Sequence, residues 1–439
     1  MRFIEDKAKR LDSAVEMFRQ QQTRLNGTVT SEDKSTLRQR FGELENELND
    51  FLAAEYGMKK ADVRNWKASH KPFHWLSDFH RIMAGGGFDV VIGNPPWKEY
   101  AAVRKDYSVR GYATLPCGNL HGMTTERAIA LATDRGRISF IVQLPLTSSS
   151  RMTSVRSVLR NSCAFISVIP FDDRPGKLFD GLEHCRSVVF TCQKSAAGAV
   201  SEFVSRYQRW PTEFRPHLFP LVGYASKGDR KLFGDLFAKI GSSTAASVRE
   251  KLESSVKKVL GVTLSRGVTK NFIFYQEATQ YWTKATLGLP YYAKNGRVRA
   301  PAHGRYLYFD DEALANAASA VLNSSLFYLY FIAFSDCFHL SDTLVSNFPV
   351  PGALLADKRL AKLNEELMGN LTHNAVRKTI ETKDGDKISY AEFYAGASKP
   401  IIDRIDAALA RHYGFTDEEL DFIVNYDIKY RLGADVDEE

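Results

Sequence analysis

Residues Phe88 to Tyr100 read FDVVIGNPPWKEY, a short apolar run that ends in Asn94-Pro95-Pro96-Trp97. An apolar run of this length predicts a fully buried strand of a parallel sheet. It places Asn94 at the strand's carboxyl end, where α/β enzymes put ligand-contacting groups. The Asn94 side-chain oxygen and the Pro95 carbonyl, set in a stiff turn with fixed φ and no N–H, form two acceptors for the protons of an amine. Such acceptors suit an exocyclic base amine, whose lone pair stays delocalised in the ring until its protons are held. Trp97 then offers a π-face, and a base inside a duplex reaches such a pocket only when flipped out. A Pro-Pro pair that only punctuates a strand end is the plainer reading; the agreement of position and chemistry favours the site.

Outward from this stretch lie His70-Lys71-Pro72-Phe73-His74-Trp75, Gly118-Asn119-Leu120 with Glu126-Arg127-Ala128, and Gly136 to Val142. Further on come Arg174 to Gly181 and Leu420 to Arg431. In this order the segments resemble the gamma-class adenine-N6 DNA methyltransferases related to type IIG restriction-modification enzymes and to phage-defence methylases. The resemblance implies a site-specific adenine-N6 DNA methyltransferase that moves a methyl group from S-adenosylmethionine to a flipped adenine. It makes Asn94, Pro95, Pro96 and Trp97 the catalytic motif, with tryptophan in a slot more often tyrosine or phenylalanine. Phe179 falls where the family often has a second aromatic against the base; a plain core role is the alternative.

The resemblance also leads us to expect a Gly-rich cofactor turn after a first strand, followed by an acidic residue. The only glycine cluster, Ala84-Gly85-Gly86-Gly87, precedes the catalytic strand, so the cofactor-binding residues are unknown. Candidate strands are Phe88 to Gly93, Ile138 to Val142, Phe165 to Ile169 and Ser187 to Cys192, with helices around Thr124 to Ala132 and Ser149 to Leu159. The expected fold is α/β, the second half of a Rossmann-like methyltransferase sheet. Strands resembling the family's first three are missing, which leaves the catalytic strand as an apolar edge of the kind native proteins cover. The expected cover is a second polypeptide carrying the cofactor half, or a lost N-terminal part.

The 439 residues, 44% hydrophobic and 25% charged, have an ordinary globular composition. The first twenty residues lack a secretory apolar core, and Ala320 to Phe334 is too short and too polar for a membrane span. Five cysteines without CxxC spacing point to reduced thiols in a cytoplasm and away from structural zinc. No metal site is expected, because His339 and Asp342 are two ligands at most. Net charge is +7, concentrated between Tyr224 and Arg305, where 15 Lys and Arg face 5 Asp and Glu. Aromatics interleave with that charge, so the segment is expected to bind double-stranded DNA, basic groups on phosphates and polar groups on base edges. The DNA-binding candidates are Lys270, Tyr275, Trp282, Lys294, Arg297 and Arg299.

The expected organisation is a helical hairpin at 1–65, a catalytic half-domain at 66–195, a connector at 196–235, an α+β target-recognition domain at 236–353 and helices at 354–439. In the hairpin, Leu11, Val15 and Phe18 share one face and Leu37, Phe41, Leu44, Leu48 and Leu52 another. Asn26-Gly27 breaks the two helices, and Ser31 is the expected cap of the second. A catalytically inactive DNA-recognition subunit is the alternative function.

Overall fold

The apolar run Phe88–Gly93 forms strand β1, followed by β2 (Ala132–Gln143), β3 (Cys163–Phe171), β4 (Ser187–Lys194), β5 (Ser201–Ser205) and β6 (Tyr224–Ser226). This computed structural model describes residues 29–431 except 107, 183–184, 196–199, 227–233, 256–257 and 280, together with residues 13, 16 and 20. The first predicted helix, the Asn26-Gly27 break and the acidic tail lie outside the described residues. The strands make one sheet in the order β1-β2-β4-β3-β5-β6. It is mixed: β3 runs antiparallel to β4 and parallel to β5, and β6 runs antiparallel to β5. Each predicted strand is present, and β2, β3 and β4 extend beyond their apolar centres.

One expectation for β1 is corrected. It was read as fully buried, yet Val90 is 59% and Ile92 78% exposed. The physical reason is its place at the end of the sheet, where among the described residues it has a neighbouring strand on one side alone.

The chain divides into two compact units, Met1–Val91 with Arg127–Ile138, and Ile92–Glu126 with Ser139–Glu439. In the first, the helix Ser31–Glu55 is capped by Thr30, one residue earlier than the expected Ser31. Thr30 accepts from the Asp33 backbone and Asp33 bonds back, a capping box. Leu44 and Leu48 are buried on its inner face. The His70-to-Trp75 segment is an aromatic buttress: Trp75 and Phe79 meet the Phe88 ring at 5.7 and 5.3 Å. His74 Nε2 lies 2.7 Å from the buried Asn49 amide oxygen, and burial lowers the His74 pKa. Gly87 has φ +117, and a Cβ there would sit 2.2 Å from the Leu131 carbonyl oxygen. That glycine is needed for close backbone packing.

In the second unit, the helices Glu312–Asn323 and Ser325–Phe334 form the centre, with every residue from Ala315 to Phe334 buried. The two meet at a 63° bend and together match a membrane span in length and composition. Among the described residues no single helix is long and apolar enough to cross a membrane. Asn323, which interrupted the apolar run in sequence, donates to the Ala285 and Ser319 carbonyls, so its amide is satisfied inside the core. Around this centre stand a three-stranded sheet of Gly304–Phe309, Asn271–Gln276 and Ala285–Thr286, and a four-stranded one.

The four-stranded sheet corrects the expectation of an all-helical C-terminal region. Val376–Glu381 and Lys387–Glu392 form an antiparallel hairpin, and the second strand pairs with Tyr292–Lys294. Charged and β-branched residues alternate there without a long apolar run, so the pattern carried little strand signal. The helices Lys358–His373 and Ala395–Tyr413 on either side match the expected periodicity, burying Leu360, Leu363, Leu367, Ile402, Ile405 and Leu409.

A buried charge network joins distant parts of this unit. Arg209, 1% exposed, donates to Asp172 at 2.6 Å, to Asp427 at 2.8 Å and to the Tyr328 hydroxyl at 2.7 Å. Arg186 reaches the other Asp172 oxygen at 3.1 Å, and Arg206 the other Asp427 oxygen at 3.0 Å. Removing one member leaves opposite charges desolvated and uncompensated. We predict that Asp427→Ala costs about 3 kcal/mol or more of stability, read as a lower denaturation midpoint in urea; a change under about 1 kcal/mol, the range of exposed pairs, would contradict this.

Candidate active site

Asn94 leaves the end of β1 into an irregular stretch that runs to Lys98. Its side chain is exposed and makes no hydrogen bond among the described residues; Pro95 is buried and its carbonyl likewise accepts none. Two acceptors therefore stand unused at adjacent positions. The half-buried Trp97 ring is anchored, because its Nε1–H donates to the Ile141 carbonyl of β2 at 3.1 Å. A phenyl ring in that slot has no such donor, a constraint on Trp97 that stacking alone did not suggest.

Phe179 lies beside Trp97, with ring centroids 6.4 Å apart and planes tilted by 55°. This is an ordinary aromatic contact. A base entering between the two rings must rotate one aside. Phe179 belongs to the Asp172-to-Arg186 loop, both of whose ends enter the buried charge network. Within it Gly176 packs so closely that a Cβ would lie 2.5 Å from the Trp210 carbonyl oxygen.

The loop after Trp97 is clamped from a second side. Leu120 N–H donates to the Lys98 carbonyl at 2.9 Å and Tyr100 N–H to the Gly118 carbonyl at 2.8 Å. Glu99 accepts from Arg151 at 2.5 Å and from the Asn119 amide at 3.2 Å, and Arg151 also donates to the Cys117 carbonyl. The Arg151 bond, opposed by modest burial and aided by Asn119, holds the Glu99 carboxyl below its usual range. Glu126 accepts from both the Ala113 and Thr114 backbone N–H groups, fixing the approach to Gly118. The Gly-Asn-Leu and Glu-Arg-Ala segments thus brace the Asn94 loop. Sequence reasoning noted their order and missed Glu99 and Arg151, which sit 52 residues apart and meet only in the fold.

The recognition-region candidates divide by exposure. Lys270, Arg297 and Arg299 are exposed, and Lys294 is half-buried in an ion pair with Asp386. Tyr275 and Trp282 are core residues, which corrects their place among DNA-facing side chains. The Tyr275 hydroxyl donates to Asp342 at 2.5 Å and the Trp282 indole to the Asn323 carbonyl at 3.3 Å. For Tyr275 the reason is strand parity: Ile273, Tyr275, Leu307 and Phe309 face inward, while Phe272, Tyr306 and Tyr308 occupy the opposite face. His339 pairs with Asp336 and not with Asp342, and no metal-ligand cluster occurs among the described residues.

Gly85, Gly86 and Gly87 precede β1, and Gly87 serves the close approach to Leu131. These glycines therefore do not form the Gly-rich turn after a first strand that the resemblance implied.

The model of the family described as "Eco57I restriction-modification methylase" matches residues 13–178. A curated relative from Methanocaldococcus jannaschii, described as a type II restriction enzyme and methyltransferase, is 29% identical over 112 residues. That match takes in 25% of this chain and 9% of the relative. Among solved structures, the DrdV–DNA complex is 11% identical, covering 80% of this chain and 56% of that one, with a TM-score of 0.34. The type IIL restriction-modification enzyme MmeI in complex with DNA is also 11% identical, covering 78% and 56%, at 0.33. The type IIG restriction endonuclease BpuSI is 12% identical, covering 77% and 54%, at 0.29.

His121, beside this clamp, is wholly buried with neither ring nitrogen hydrogen-bonded. Burial pushes its pKa from 6.5 down to about 4, against the pull of Glu99. The unfolded chain therefore takes up a proton near pH 6.5 that the folded chain refuses until about pH 4, so stability is lost as pH falls through that window. We predict that His121→Phe removes about 3 kcal/mol of pH-dependent destabilisation between those limits, measured by urea unfolding at pH 7 and pH 4; parallel pH profiles for both proteins would contradict it. Residues 13–178 thus resemble the restriction-modification methylase family, and the curated relative is one described as a restriction enzyme and methyltransferase.

Proposed function

We propose that this chain is the base-holding half of a site-specific adenine-N6 DNA methyltransferase in a restriction-modification or phage-defence system. The observation that carries the reading is the conjunction at one strand end of a free Asn94 amide, a free Pro95 carbonyl and the anchored indole of Trp97. A flipped adenine would place its N6 protons on the Asn94 oxygen and the Pro95 carbonyl and its ring on Trp97. Both acceptors tighten as positive charge develops on the attacking nitrogen, so they stabilise the transition state more than the bound base. Phe179 closes the other side of the base once its ring turns. The Glu99–Arg151–Asn119 clamp holds the loop in register, which is where positioning contributes to rate.

The methyl donor in this reading is S-adenosylmethionine, held by a body that the described residues do not form. The open edge of β1, with Val90 and Ile92 bare, supports a docking strand from that body. A separate polypeptide or another portion of a longer protein serves equally. Lys270, Lys294, Arg297 and Arg299 would meet DNA phosphates. In the reconstituted system, Asn94→Ala should lower the methylation rate by about 10²-fold or more while DNA binding, followed by fluorescence anisotropy, stays within about twofold. Undiminished methylation in that variant would exclude the catalytic reading and leave the recognition-subunit reading.

A further inference from the structure

The outer face of the three-stranded sheet is aromatic where an exposed sheet face is ordinarily polar. Tyr306 and Tyr308 stack with planes 7° apart and centroids 6.2 Å apart, and Phe272 adjoins both. Phe274 is paired across the strands with Tyr306, continues the same face and lines a cavity of about 290 Å³. Tyr292 and Tyr390, directly paired strands of the four-stranded sheet, line it as well. The volume is near the lower end for ligand sites, enough for one small planar molecule.

The polar side chains among the lining residues include a mixed donor and acceptor set: Gln276, Lys284, Thr286 and Glu392. Lys284 makes no hydrogen bond or close ion pair among the described residues, and burial, partly opposed by Glu392, lowers its pKa. A largely buried ammonium without an acceptor is costly. Glu392 is occupied by Lys378 at 2.6 Å and by the Tyr394 hydroxyl, and as a carboxylate it keeps further lone pairs to accept with. Just outside, the Arg377 guanidinium lies 4.0 Å over the Tyr291 ring.

We propose that this cavity binds an unstacked guanine base, its ring against Phe274, Tyr292 and Tyr390, its O6 and N7 acceptors on Lys284 and its N1–H and amino group on Glu392. Aromatic faces accept any base, whereas a lysine donor beside a carboxylate acceptor fits the guanine edge and opposes adenine, which presents a donor where guanine has a carbonyl. The ladder of exposed Tyr306 and half-buried Phe272 and Tyr308 gives neighbouring bases of a strand a surface to stack on. A free guanine nucleotide offers the same edge without the strand. The site shares no residue with the Asn94 loop and does not depend on methyl transfer.

The test is calorimetric titration of the full chain with GMP, with AMP, and with oligothymidylates that carry or lack one central guanine. One-to-one binding of GMP or of the guanine-bearing oligonucleotide is expected, with AMP and plain oligothymidylate weaker by about tenfold. GMP binding assigns a free nucleotide as ligand, and binding of the guanine-bearing strand alone assigns a base extruded from nucleic acid. Lys284→Met should weaken the complex about tenfold and Tyr390→Ala comparably, each with an unchanged melting temperature or, failing that, with Tyr390→Phe retaining affinity. No guanine ligand binding at millimolar concentration, equal affinity for AMP, or indifference to Lys284→Met would overturn the proposal. Because the readout contains no methylation step, its failure leaves the Asn94 reading standing, and the reverse holds too.

Discussion

A single guanidinium organises the second unit. Arg209 is shut off from water between Asp172, at the end of β3, and Asp427, over two hundred residues later. Its cation also lies over the rings of Tyr207 and Tyr281 at 5.2 Å each. Desolvating three charges costs as much as their attraction returns, so the network contributes little net stability over an apolar core. What it contributes is geometry, because a planar donor fork satisfied by two carboxylates and a hydroxyl tolerates few arrangements. The loop that presents Phe179 starts at Asp172 and ends near Arg186, so its two ends are held by one carboxylate. The Leu420-to-Arg431 segment, remote in sequence, thereby acts on the position of an aromatic beside Trp97.

The candidate site depends on the same economy of braces. Asn94 and Pro95 stay free because other groups carry the loop's structural bonds: Glu99 on Arg151, Lys98 on Leu120, Tyr100 on Gly118. Rigid support next to unspent acceptors is what holding an amine requires. The support has one open side. β1 carries the loop and ends its sheet with two branched apolar side chains bare, a feature that native sheets ordinarily cover.

Much of this was legible beforehand, for identifiable reasons. FDVVIGNPPWKEY announced a strand and a turn because four apolar or small residues in succession and two prolines leave the backbone few alternatives. The helices at Leu360 and Ile402 were legible from periodicity. Tyr275 and Trp282 were misread as DNA-facing because aromatic and basic residues interleave there in sequence, while alternation along the strand turns Tyr275 inward and the Trp282 indole is tied to the core Asn323 carbonyl. The hairpin at Val376 to Glu392 was hidden because its strands are polar and draw their partner, Tyr292–Lys294, from about ninety residues upstream.

The sequence by itself determined the residue types at Asn94 to Trp97 and the strand that presents them. These are local facts, set by residue type and spacing within a dozen positions. Only the tertiary structure decided which acceptors remain unused, that the Trp97 indole is tied to Ile141, that Glu99 meets Arg151, and which face of each recognition strand is outward. Those depend on contacts between residues tens to hundreds of positions apart, whose pairing is fixed by burial of the whole core and by the need to satisfy every charge inside it.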